Sequence, residues 1–171
     1  MLYHGAPDPM MGSELMPLND MIDIYPDLYM LHRSKYEGRE EILDRKIPLL
    51  NCVWNDVVQF LPLHPKKVFE LQVEMGLIPE VPPYKFFEVD SNMLDPAKTV
   101  VFFKNAPGEE NVVVRWLKDV DANIFNDIPQ ATIDYYQTLV GTGELPFNYQ
   151  FIPHVVYMGR LDVSTIPIIT L

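Results

Sequence analysis

The chain has 171 residues, 48% of them apolar, with 24 acidic side chains against 13 basic ones and a net charge of −11. That length predicts one domain over 1–171, burying roughly two-thirds of the surface an unfolded chain exposes. The charge argues against nucleic acid, whose phosphates are gripped by Lys and Arg, and suits solubility or a basic protein partner. No apolar run approaches the ~18 residues of a membrane span. The opening residues lack a basic-then-apolar leader pattern, and the lone Cys52 has no internal disulfide partner. Together these predict a cytoplasmic protein with no membrane contact.

In chain order, residues 1–6 read as a short strand, and 7–20 as a turn-rich stretch containing Pro7, Pro9, Pro17 and Gly12. Pro26, a favoured first-turn residue, opens a helix to about Tyr36, and Gly38 stops it. A second short helix is expected over 39–46, where Glu41 and Arg45 stand four apart in the favourable order. The apolar runs 47–54 and 56–63 read as two strands or one bent strand, with Pro48 and Pro62 restricting pairing near the ends. Pro65 opens a helix to about Met75, ended by Gly76.

Strands are expected at 84–89, 99–104 and 111–117, the last two joined by a hairpin-like turn at NAPGEE (105–110). A helix over 129–140 is stopped by the Gly-Thr-Gly at 141–143. Strands over 149–157 and 163–170 close the chain. Strands and helices neither alternate regularly nor segregate into an all-β pattern. The expected class is α+β, with about four helices and a mostly antiparallel or split sheet.

The run from Ile47 to Pro65 carries polar residues within an apolar segment: Asn51, Cys52, Trp54, Asn55, Asp56, Gln59 and His64. Buried polar groups need partners. Two readings follow. In one, Trp54 is core and Asn51, Asn55 and Asp56 cap and turn between strands through local backbone bonds. In the other, Asp56 and His64 form an acid–base pair in a cleft, oriented by Asn55, as in a hydrolase. Cys52 is a poor nucleophile: it sits in an apolar strand with no cation nearby in sequence, which raises a thiol's pKa. The histidines His4, His32, His64 and His154 lack metal-ligand spacing, so no metal site is expected.

The opening residues Leu2-Tyr3-His4-Gly5 resemble the first-strand motif of ADP-ribosyltransferase-fold proteins. The resemblance implies that His4 holds a ribose hydroxyl of NAD and that the Gly5 backbone pairs with the nicotinamide amide. It also implies that an aromatic residue, Tyr29 or Tyr36, packs on the nicotinamide ring. The family closes with a strand bearing a Glu that stabilises positive charge developing at the ribose carbon. Here the segment 147–169 has that general shape, with Gln150 at the matching place. The expected geometry sets His4 and Gln150 on adjacent strands facing one cleft.

An amide cannot supply the missing charge, and Glu144 would have to reach in from the preceding loop. The resemblance therefore implies nucleotide binding through His4, Gly5, Tyr29 and Tyr36 and leaves transferase activity open, with Gln150 and Glu144 as the residues to examine. A non-enzymatic acidic protein of immunity or antitoxin type, bound to a basic partner, is the alternative from a different class.

Overall fold

Period-2 patterning puts alternate residues of each strand on opposite faces, and the core is built on that alternation. The structure, a computed structural model, describes residues 1–171 apart from the side chain of Glu109. Its elements are β1 (Leu2–Gly5), β2 (Glu14–Leu15), α1 (Met21–Ile24), α2 (Pro26–Ser34), β3 (Lys46–Ile47), β4 (Cys52–Val53), β5 (Val58–Phe60), α3 (Pro65–Glu74) and β6 (Lys85–Val89). These are followed by β7 (Thr99–Lys104), β8 (Val112–Trp116), α4 (Gln130–Leu139), β9 (His154–Tyr157), β10 (Leu161–Asp162) and β11 (Ile168–Thr170). The protein is α+β, and its paired strands are antiparallel.

Two sheets carry the architecture, in the orders β1-β6-β11 and β5-β9-β7-β8. They meet at one point, where Tyr3 and Leu61 exchange both backbone hydrogen bonds at 2.8 Å. The result is a split sheet, parted between β1 and β5. Alternation along the strands feeds three apolar clusters. Leu2, Val58, Phe60, Phe87, Val101 and Val155 face one of them. Tyr3 and Phe86 turn the other way, onto Phe69 of α3 and Tyr136 of α4. Val100, Phe102 and Val156 cover Ile47, Trp54 and Val57.

Helix α3 begins as its sequence directs: Pro65 takes the first turn, and the His64 ring accepts the Lys66 N–H at 3.2 Å. Gly76 follows the last turn at φ +72°, the left-handed conformation glycine adopts without steric cost.

Several expectations are corrected. The segment 47–63 is neither two strands nor one bent strand. Pro48 and a left-handed Asn51 (φ +50°) fold it into a tight β3–β4 hairpin, and Trp54–Asp56 form a 3-10 turn before β5. Asn is among the side chains that tolerate this conformation, which is why the chain can reverse there. The helix expected over 39–46 is reduced to one 3-10 turn, Glu40–Ile42. The strand expected from 149 begins only at His154.

Candidate functional site

The split between the sheets opens a groove of about 930 Å³, within the range of small-molecule sites. Its floor is the parted edge of β1 and β5. One wall is α1–α2 and the chain after it, and the other is the segment 146–152. Where the backbone ladder ends, side chains replace it. His4 Nδ1 lies 2.7 Å from the Gln59 carbonyl, which can only accept, so Nδ1 carries the proton. Burial pushes the His4 pKa below its ordinary value, with the positive charge of Lys35 and the neighbouring His32 acting in the same direction. The ring is therefore neutral, and its Nε2 is an acceptor.

Gly5 ends β1 on the groove wall. A Cβ built there would meet only Phe86 Cε1, at 3.9 Å, an ordinary contact. Neither φ nor packing requires glycine at this position, so the bare backbone serves no internal need of the fold.

The α2 wall follows helical spacing. Leu28 and His32 of α2 and Lys35 at its C-cap, at steps of four and three, face the groove, flanked by Met21 of α1, Tyr25 at the junction and Arg39 beyond Gly38. The seam is apolar at its start and basic at its end. Arg39 lies over both the Tyr36 ring, at 5.6 Å, and the Phe147 ring, at 5.2 Å, which ties the two walls together. Arg45 lies over Trp54 and Phe102 at 6.0 and 5.7 Å.

The opposite wall is held by one face of α4. Thr132 Oγ1 donates to the Gln150 carbonyl at 2.9 Å, and the Tyr135 hydroxyl accepts the Phe147 N–H at 3.0 Å. The Tyr136 hydroxyl donates to the Asn148 carbonyl and accepts from Gln72 Nε2. Positions 132, 135 and 136 share a helical face, so one turn of α4 fixes the whole rim. Phe151 within that rim has φ +62°, a strained conformation for a large side chain.

Of the residues singled out in the sequence, His4, Gly5, Tyr36 and Gln150 line the groove together. Tyr29 and Glu144 are outside the lining. Gln150 is not on a strand adjacent to His4. It sits in a turn ahead of β9, and β5 intervenes between β9 and β1.

The Asp56–His64 pair is not formed, because each member has other partners. Asp56 accepts from Asn19 Nδ2 at 2.6 Å and from the Val53 N–H at 2.9 Å. His64 caps α3 and packs against the Tyr3 ring at 4.9 Å. Asn51 is an exposed turn residue, while buried Asn55 offers its carbonyl to the Asn19 N–H at 3.0 Å. This polar run is a clip that fastens the segment before α1 to the turn before β5. Burial, with Asp56 adding to it, pushes the Cys52 thiol up to about 11, so it is not poised for nucleophilic attack.

Sequence reading missed the cations of the groove, although His32 and Lys35 at helical spacing, with Arg39 just past the Gly38 stop, were visible in the sequence. The groove lining holds five Lys and Arg residues, Lys35, Arg39, Arg45, Lys85 and Lys104, against the two carboxylates Asp8 and Glu14. The lining is thus net positive in a chain that is −11 overall. Among the described residues no group of three His, Cys, Asp or Glu could hold a metal ion. No helix among the described residues is long and apolar enough to cross a membrane. No family model, curated protein or solved structure matches the chain.

Proposed function

We propose that the groove binds a nucleotide, NAD or a close relative, with base or nicotinamide against aromatic side chains and phosphates against the cations. The observation that carries this reading is the local reversal of charge. Five of thirteen Lys and Arg residues, but only two of the 23 acidic residues other than Glu109, line the groove. A surface built only for solubility has no reason to sort its charges in this way. Tyr36 and the exposed Phe147 stand among these cations and offer stacking faces. The neutral His4 ring supports the reading too, since its Nε2 suits a ribose hydroxyl, which donates.

Binding is expected without efficient transfer. Gln150 lacks the charge that an oxocarbenium-like transition state requires, and Glu144 lies outside the groove lining. Calorimetry with NAD should give a saturable heat that Gly5→Val abolishes by filling the bare wall. The denaturation midpoint of that variant should match the wild type. Absence of heat at millimolar NAD would overturn the nucleotide reading. Rapid NAD hydrolysis that is indifferent to Glu144→Gln would overturn the assignment of a binding role without transfer.

The acidic-protein alternative retains one supporting observation. Among the described side chains, those outside the groove number 21 acidic against eight basic, a surface suited to a basic protein. The hydrolase alternative has none, because Asp56 and His64 are both engaged elsewhere.

A further inference from the structure

We infer that the end of the groove bounded by His32, Lys35 and Arg39 is a phosphoryl subsite, so that the ligand enters with its phosphates against the last turn of α2. The inference rests on the nucleotide reading only for the source of the phosphate. His32 supplies the first argument. Lys35 Nζ stands 3.1 Å from His32 Nδ1. An ammonium can only donate, so His32 Nδ1 accepts and Nε2 carries the proton. That Nε2–H is buried and has no hydrogen-bond partner among the described residues, although a buried donor ordinarily has one. Nε2 itself has no accessible surface, but His32 lines the groove, so a modest turn of its ring brings this unpartnered donor to an acceptor seated there.

Lys35 supplies the second argument. It has two further N–H groups beyond the one directed at His32, and it lines the same wall. Arg39 lies past Gly38, outside the helix; its guanidinium stands across the groove mouth between Tyr36 and Phe147 and donates one N–H to the Lys35 carbonyl at 3.0 Å, leaving others for a ligand. A neutral N–H donor in the last turn of α2, an ammonium at its C-cap and a guanidinium just past Gly38 form a donor-only set at one end of the groove. Such a set fits oxyanions and has nothing to offer a hydroxyl donor. The C-terminus of a helix opposes anions, but with only about half an elementary charge, against two full positive charges here. The nearby carboxylates Glu37, Glu40 and Glu41 are absent from the groove lining.

The test compares ADP, adenosine and inorganic pyrophosphate by calorimetry on the full chain. ADP should bind about tenfold or more tighter than adenosine, as charge-assisted contacts to phosphate allow. Pyrophosphate should compete with ADP. Lys35→Ala should bring ADP down to the affinity of adenosine, and His32→Phe, which keeps the ring and removes the donor, should weaken ADP. Equal affinity for ADP and adenosine in the wild type, or an ADP preference that survives Lys35→Ala, overturns the subsite while leaving nucleotide binding intact. Pyrophosphate binding that depends on Lys35, with no added affinity from either nucleoside, supports the subsite and removes the nucleotide reading. If none of the three binds, both fall.

Discussion

Trp54 shows how one residue can serve both core and groove. It is 8% exposed, meets Phe102 edge-on at 5.2 Å, and has His154 5.9 Å from its ring. Trp54→Ala should cost about 3–5 kcal/mol, the usual range for emptying a large aromatic site. An unchanged midpoint in urea would contradict its role in the core.

His154 sets a pH limit from the same spot. Burial, together with Arg45, brings its pKa from 6.5 down to about 4, while its Nδ1 is held by the Ile152 carbonyl. Burial lowers the His4 pKa as well. Between about 6.5 and 4 the unfolded chain therefore binds more protons than the folded one. Stability is complete above the upper value and falls as pH drops through this window. His154→Asn keeps a donor for the carbonyl and cannot take up a proton, so denaturation midpoints should lose part of their slope over that window. A slope identical to wild type would place the acid sensitivity elsewhere.

At the scale of elements, α4 and the loop after it act as one unit. Tyr136 is fully buried and joins Gln72 of α3 to the Asn148 carbonyl of the rim. Tyr136→Phe removes the donor to the Asn148 carbonyl and leaves Gln72 Nε2 only its long 3.4 Å bond to Asn148 Oδ1, at a cost of about 1–3 kcal/mol. It should also speed proteolytic cleavage within 141–152, because the rim loses its Tyr136 anchor and keeps those at Thr132, Tyr135 and the long Gln72–Asn148 side-chain bond. Unaltered proteolysis would show that the rim is held by packing alone.

The same scale shows what the sequence disclosed. Helices α3 and α4 lie within a residue of their expected ends, because Pro65, Gly76, Pro129 and the glycines at 141 and 143 punctuate the chain locally. Strand β7 has its expected bounds. The clip around Asp56 was legible only as a need for partners, since Asn19, the residue that meets it, lies 37 positions away. The strand expected from 149 was lost because Thr132, Tyr135 and Tyr136 bind the backbone of 147–150 outside any ladder.

For the whole molecule the decisive property is the separation of charge between groove and surface. Exposed charges are screened over about 10 Å at 0.1 M salt. NAD affinity should therefore weaken several-fold as salt rises from about 0.05 to 0.5 M, a range that shrinks the screening length by about threefold. Affinity independent of salt would mean that the ligand does not touch the cations of α2.

By itself the sequence determined the α+β class, the boundaries of α3 and α4 and the strand alternation, because these depend on neighbours within a few positions. It also placed His4 and Gly5 on a first strand by their motif. The tertiary structure alone decided that β1 parts from β5 and that His4 is fixed by a carbonyl 55 residues away. It alone gathered a minority of positive charges from α2, the β3 approach, β6 and β7 into one groove. Composition adds charges over the whole chain and discards position, and only the packing of distant segments restores it.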